Sequence, residues 1–375
     1  MKVQTGAEQL LARPELIPGA RLGLLTNYTA VTPDLVPLWI GWHRVDPRLQ
    51  VLFGPEHGLW GSAQAGEAES DQVEPVTGLP VVDTYGQEES RWAAEMAGLD
   101  GVVIDLQDVG SRCYTYAWSA LRFLRAASRR GVPVYVLDRP NPLAGVVAGP
   151  GLQADCVSLV GELGVPLRHG LTLGELLREA AAWLDLPEPS VIAMKGWRRD
   201  KFWAETGLPW VPPSPNLPTP ASALVYPGTV LLEGSNLSEG RGTTLPFELV
   251  GAPWLTEEWA WALRQRDLPG VQFRLARFQP TGHKYAGQVL TGVQLHVLDP
   301  DRFDPIQAGL ALLETAKEQA PEHFAWREPD WEGASRPFVD LLWGSPVLRE
   351  QLGTGVDLVE ASPAPIRPVT APLYR

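Results

Sequence analysis

The chain has 375 residues, 45% hydrophobic and 20% charged, which excludes a disordered polymer and leaves room for two domains. Its 31 basic and 44 acidic residues give a net charge of −13 with no block of Lys or Arg, arguing against nucleic acid or an anionic membrane as partner. No apolar run approaches bilayer length and no apolar leader follows Met1, so the expectation is a cytoplasmic protein, or a secreted or periplasmic one if a leader was removed.

Arg21–Thr26 predicts a first strand, ending at the polar Asn27. A helical segment with Leu35, Leu38, Trp39 and Trp42 follows, then a buried strand over Leu49–Phe53. Next comes Gly54-Pro55-Glu56-His57-Gly58-Leu59-Trp60-Gly61, whose three glycines and one proline rule out a helix and shape a loop. Pro80–Asp83 is a short strand, Ser90–Met96 a helix closed by Gly98, and Gly101–Leu106 the clearest strand in the chain. Ala117, Ala120, Leu121, Leu124 and Ala127 keep helical spacing as far as Gly131, and Val132–Leu137 returns to strand. Thr172 and Glu175 form a capping box ahead of a helix running to Leu184. From about Pro246 the rhythm changes. A helix over Trp254–Arg266, strands over Val271–Phe278 and Gly292–Leu298, a helix opening at Asp304-Pro305 and a Pro-rich tail complete the chain.

Strands alternating with helices predict an α/β fold: a Rossmann-like, mostly parallel sheet with helices on both faces. The expected division is a Rossmann-like catalytic domain over 1–245 and a smaller α+β C-terminal domain over 246–375 that completes a cleft. No G-x-G-x-x-G follows any strand, and P-loop, nucleophile-elbow and zinc-helix motifs are missing, so no cofactor is expected. Cys113 and Cys156 match no metal-ligand spacing, and two free thiols are the simplest expectation, a single disulfide the alternative. Most of the 15 tryptophans must serve packing, while some are free to stack on sugar rings. Nothing in the composition sets the oligomeric state.

Loops at strand ends are where open α/β sheets bind ligands. Glu56 and His57 lie on one; the pair reads either as a solvated turn or as part of a site. After the strand at Gly101 come Asp105, Gln107, Asp108, Arg112, Tyr114 and Tyr116 in one strand-to-helix junction. Here Asp108 could cap the helix and Arg112 pair with Asp105 or Asp108, or the whole set could face a ligand. Asp138 and Arg139 follow the next strand, stiffened by Pro140 and Pro142. Trp210–Thr219 is an extended, proline-rich connector. The densest polar stretch, Glu233–Glu248, follows apolar Thr229–Leu232, read as a strand, and carries Asn236, Glu239 and Arg241 among three glycines. Glu56 and His57 with Asp105 and Asp108 could hold a metal, but the histidines are scattered and no metal site is expected. The ligand implied is small, polar and rich in hydroxyls or amides.

Five of these stretches, GPEHGLWG, DLQDVGSRCYTY, LDRPNPLAG, PPSPNLPT and EGSNLSEGRGTTLPFE, resemble the NamZ-type exo-β-N-acetylmuramidases, with similarity from about Val3 to the end. The resemblance implies a Rossmann-like domain, a smaller C-terminal domain and a cleft between them. It implies release of N-acetylmuramic acid from non-reducing ends of peptidoglycan fragments. Glu56 becomes the expected catalytic carboxylate and His57 the second choice for that role. Gln107, Asp108, Tyr114, Tyr116, Asn236 and Glu239 are placed in the cleft by motif. Arg112, Arg139 or Arg241 is expected to meet the lactyl carboxylate of muramic acid, because a planar guanidinium matches a carboxylate bidentately. Many family members carry signal peptides and this chain shows none, which points to muropeptide recycling in the cytoplasm. The partner is a muramic-acid sugar. Rival readings are a non-catalytic muropeptide-binding protein and a metal-dependent amidase or esterase on the same fragments. As general acid, Glu56 requires a cover, with Trp60 or a neighbouring carboxylate in that role.

Overall fold

The structure, a computed structural model, describes residues 2–62, 72–85, 87–329 and 336–375. Apolar runs bounded by Gly and Pro assemble into a seven-stranded sheet: β1 (Leu22–Thr26), β2 (Leu49–Gly54), β3 (Gln72–Val73), β4 (Pro80–Asp83), β5 (Gly101–Asp105), β6 (Val134–Leu137) and β7 (Ser190–Ile192). The order is β3-β4-β2-β1-β5-β6-β7, and every pairing is parallel except β3 with β4. β1 and β5 are buried at every residue, which is why neither shows polar alternation. Alternate residues nonetheless serve two cores. Val102 and Ile104 face one with the helix Tyr116–Arg129; Val103 faces the other with Leu10, Trp39 and Trp42. Helices therefore cover both faces, as expected.

Most predicted boundaries hold to within about three residues. The helix Leu173–Trp183 starts at the Thr172/Glu175 capping box, and Gly131 takes φ +67° after the helix Tyr116–Arg129. Asp304 caps Pro305–Gln319 through Ile306 N at 2.8 Å. One expectation fails. Thr229–Leu232 is no strand; it ends the helix Pro220–Thr229 and enters a 3-10 turn over Val230–Gly234. That helix keeps Pro220 at its first turn and Pro227 inside it, so its sequence reads as broken. It crosses Pro305–Gln319 at Gly228, where a Cβ would stand 1.7 Å from Pro305 O.

The second sheet is antiparallel: β8 (Leu249–Ala252), β9 (Val271–Phe278) and β10 (Leu290–Val297) in the order β8-β10-β9. Its core residues Val250, Phe273 and Val293 belong to the same cluster as Ile104 and Leu106, so the two sheets share one continuous interior. The tail then returns to the first sheet. Tyr374 Oη donates to Asp138 Oδ2 at 2.6 Å, beyond the end of β6. No helix among the described residues is long and apolar enough to cross a membrane. Cys113 and Cys156 are both buried and free.

Candidate active site

β1, β2, β5 and β6 bring their carboxyl ends to one edge, and the strand order reverses between β1 and β5. This is the crevice where doubly wound sheets bind ligands. Glu56 and His57 leave β2 there, both buried. His57 takes φ +71°, a left-handed backbone that a non-glycine residue adopts only under constraint. The constraint comes from loop closure: Tyr28 N donates to Leu59 O at 2.8 Å, and a Cβ on Gly61 would lie 2.2 Å from the Tyr28 ring. Thr115 Oγ1 donates to Glu56 Oε2 at 2.5 Å, tying this loop to the helix after β5.

A ladder of aromatic rings runs on from this point. His57 lies edge-on to Tyr116 (6.5 Å between centroids), Tyr116 to Tyr114 (4.8 Å), Tyr114 to Tyr226 (6.3 Å) and Tyr226 to Phe247 (4.8 Å). The Arg241 guanidinium caps Phe247 at 5.1 Å. Edge-to-face contact is what the ring quadrupole favours. Tyr85, Tyr116 and Tyr226 all feel the Glu56 carboxylate. Burial, the largest cause in each, pushes these phenols up, Tyr85 to about 12, so at neutral pH they remain hydrogen-bond donors. Trp60 is not the cover over Glu56. It stands 41% exposed, edge-on to the buried Trp39 at 5.1 Å, while the carboxyl group accepts from Thr115 and acts electrostatically on Tyr85, Tyr116 and Tyr226.

In the β5 loop, Asp105 is fully buried and bidentate with Arg139, whose Nη2 donates to Oδ2 at 2.9 Å. Gln107 Nε2 donates to Asp108 O at 2.7 Å and Pro140 O at 2.8 Å. Gln107 and Arg139 line a pocket with Thr29, Val31, Trp203 and Val211. Asp108 caps no helix, since the helix Tyr116–Arg129 starts at Thr115. Its Oδ2 accepts from Gly110 N at 2.7 Å and faces His169 Nε2 at 3.3 Å.

Arg112 pairs with neither aspartate. It is fully buried, with Nη1 donating to Pro150 O, Gly151 O and Val165 O and Nη2 to Leu342 O and Trp343 O, at 2.7–3.0 Å. This guanidinium bolts the first sheet's loops to the C-terminal helices through both terminal nitrogens, while its Nε is buried without a partner among the described residues. Asn236 is a brace as well: Nδ2 donates to His323 O at 2.7 Å and Oδ1 accepts from Ala325 N at 3.1 Å. Residue type suggested a ligand contact for both; their backbone partners lie far away in sequence.

Glu239 and Arg241 do face one another. Arg241 Nε donates to Glu233 Oε1 at 2.6 Å and lies 3.6 Å from Glu239 Oε1. Lys284 Nζ donates to Glu239 Oε2 at 2.8 Å and to the carbonyls of Leu232 and Leu237. Burial alone would raise the Glu239 carboxyl, but Lys284 and Arg241 outweigh it and hold the group below the usual carboxylate range. Two acids and two bases thus form a net-neutral knot under the glycine-rich loop. Among the described residues, no group of three or more His, Cys, Asp or Glu could hold a metal ion.

Comparison with known proteins decides the family. Residues 22–221 match the family model of the exo-β-N-acetylmuramidase NamZ N-terminal domain, and residues 224–364 match its C-terminal domain. The chain belongs to the NamZ family of exo-β-N-acetylmuramidases. Over 365 residues it is 40% identical to the peptidoglycan β-N-acetylmuramidase NamZ of Bacillus subtilis (strain 168), covering 95% of this chain and 86% of that protein. Two crystal structures of DUF1343 family proteins from Bacteroides fragilis NCTC 9343 share the fold. One has a TM-score of 0.83 at 31% identity, covering 93% of this chain and 91% of the other. The second has a TM-score of 0.75 at 28% identity, covering 96% and 94%.

Within this NamZ fold, sequence reasoning overlooked Tyr28, Tyr85, Tyr226, His169 and Lys284. The first two had a usable signal, since Tyr28 comes two residues after β1 and Tyr85 two after β4. Lys284 had none. It sits in the β9–β10 connection between His283 and Tyr285, both at positive φ (+60° and +58°), 45 residues from its partner Glu239.

Proposed function

We propose that this chain is a glycosidase that releases N-acetylmuramic acid from the non-reducing end of peptidoglycan fragments, with Glu56 delivering the proton. The carrying observation is the Glu56 carboxyl group, buried beside the reversal of strand order and bound by the Thr115 hydroxyl. Expelling a sugar alkoxide from an anomeric carbon requires a proton on the leaving oxygen, and a positioned acid contributes roughly 10²–10⁴-fold. His57 orients the same loop. Residues 1–245 supply the catalytic loops, and 246–375 close the cleft through Phe247 and Lys284. Of the three candidate arginines, Arg241 best suits the lactyl carboxylate, because it keeps a terminal nitrogen, Nη1, without a partner among the described residues, whereas both terminal nitrogens of Arg112 are bound to carbonyls and only its Nε is unpartnered. Arg139 is already engaged by Asp105.

The test pairs two substrates. Glu56→Gln should cripple cleavage of a muramic acid–N-acetylglucosamine disaccharide by about 10²-fold or more while sparing a nitrophenyl muramide, whose phenolate leaves without a proton. Equal losses would make Glu56 a nucleophile or an orienting group, and an intact disaccharide with the wild-type protein would leave a binding protein. A chelator-killed, metal-rescued activity on peptide or ester bonds would favour the metallo-amidase or esterase.

A further inference from the structure

Glycoside cleavage by water needs a second group, one that takes the proton of the attacking water. The carboxylates near the cleft can be sorted by partner. Asp105 is bound by Arg139, Glu233 by Arg241, and Glu239 by Lys284. Each is thus committed to a cation through a salt bridge. Asp108 differs. It is 4% exposed, and among the described residues no lysine or arginine pairs with it. Its Oδ2 takes the Gly110 N–H, and its Oδ1, buried, has no hydrogen-bond partner among the described residues.

The neighbouring His169 is buried as well, and its tautomer is legible. Leu171 N donates to Nδ1 at 3.2 Å, so Nδ1 is the acceptor and Nε2 carries the hydrogen. That Nε2 lies 3.3 Å from Asp108 Oδ2. The alignment misses ordinary hydrogen-bond geometry, a looseness common at catalytic pairs before substrate binds. His169 N also donates to Gly110 O at 3.2 Å, which locks the two segments together. One carboxylate oxygen is therefore held by the Gly110 N–H with His169 beside it, and the other is buried without a partner among the described residues. Asp108 acts electrostatically on the Tyr114 phenol and Glu56 on the Tyr116 phenol, and these two rings are in edge-on contact at 4.8 Å.

Resting on the glycosidase reading above, we propose that Asp108 is the general base of the reaction and His169 its positioning residue. The oxygen of water bonds to C1 as the C1–O bond to the leaving sugar breaks. The water's proton passes to Asp108 Oδ1, and Glu56 gives its own proton to the leaving oxygen. Direct attack inverts the anomeric centre, so a β-linked substrate yields the α sugar first.

Wild-type turnover of the disaccharide tests the glycosidase reading independently. Given that turnover, proton NMR should show the α anomer first, and β first would overturn the proposal. Asp108→Asn should lower kcat by about 10²–10⁴-fold on the disaccharide and the nitrophenyl muramide alike, with KM nearly unchanged. Azide should partly restore Asp108→Ala and give an α-glycosyl azide. A loss confined to the disaccharide would make Asp108 the acid; a loss below tenfold on both would remove it. His169→Gln, which keeps an N–H donor, should retain far more kcat than His169→Phe, and equal rates for the two would refute the positioning role even if the Asp108 variants fail to fold.

Discussion

Replacing Arg112 with methionine tests the claim that this arginine belongs to the scaffold. Its guanidinium is fully buried, meets no carboxylate and donates to five carbonyls from three separate segments. Burial pushes it down to about 10, so its desolvation opposes the bonds it makes. Hydrogen bonds to a charged donor contribute roughly 1.5–3 kcal/mol each. Five would exceed any reasonable single-residue effect, so the desolvation term must cancel much of the sum. What remains after methionine fills the volume is a set of buried carbonyls without donors, at about 1–3 kcal/mol apiece. A net loss of about 4–5 kcal/mol, the exceptional end for one substitution, is expected. In a urea titration followed by tryptophan fluorescence, the midpoint should fall sharply. Arg112→Lys should land between, since three ammonium donors cannot serve all five carbonyls. The protein that remains folded should still prefer muramic acid over N-acetylglucosamine. A change under about 1 kcal/mol together with a lost preference would move Arg112 from the scaffold to the substrate.

Two further outcomes follow from the same geometry. Asp138 is fully buried, and burial raises its carboxyl from 3.8 to about 6 against the bonds from Tyr374, Thr172 and Gly174. The folded state therefore holds this proton where the unfolded chain releases it, and the stability it contributes is full below about pH 4 and lost as pH rises through about 6. That interval is worth about 3 kcal/mol, and Asp138→Asn should flatten the fall in urea midpoint between those pH values; an unchanged slope would mean another group titrates there. Arg241→Ala should erase most of the preference for a muramic acid terminus over N-acetylglucosamine, by roughly tenfold or more in kcat/KM. Mass spectrometry of digested glycan strands should meanwhile show removal of terminal sugars alone, and mid-chain products would refute a closed pocket.

The sequence carried most of the first sheet because parallel strands buried on both faces leave an unmistakable apolar run between Gly and Pro breaks. It carried little of β7, which is three residues long, or β8, whose Leu249-Val250-Gly251-Ala252 shows no alternation. The helix Pro220–Thr229 stayed hidden because an interior proline costs a helix about 3 kcal/mol in isolation, and here packing against Pro305–Gln319 offsets it. For the site, strand-end position was the informative signal. It nominated Glu56, Asp108 and Arg139, and it could have nominated Tyr28 and Tyr85, two residues beyond β1 and β4.

Charge type was far less informative than position, and the three arginines show why. Arg112, Arg139 and Arg241 look alike in sequence, each within two residues of a glycine or proline in a polar loop. A guanidinium has five donors and no acceptor, so its role depends on which acceptors the fold brings to it. Carbonyls engage both terminal nitrogens of Arg112, a carboxylate takes Nε and Nη2 of Arg139, and Arg241 bonds Glu233 through Nε while its Nη1 is buried without a partner among the described residues. The same holds for acids: Glu239 is held below the usual carboxylate range by Lys284 and Arg241, while Asp108 meets a backbone N–H and an imidazole and no lysine or arginine among the described residues. Those acceptors and cations come from residues tens to hundreds of positions away, such as Leu342 for Arg112 and Lys284 for Glu239. A motif can therefore nominate the groups at a strand end, but their chemistry depends on partners that only the closed fold supplies.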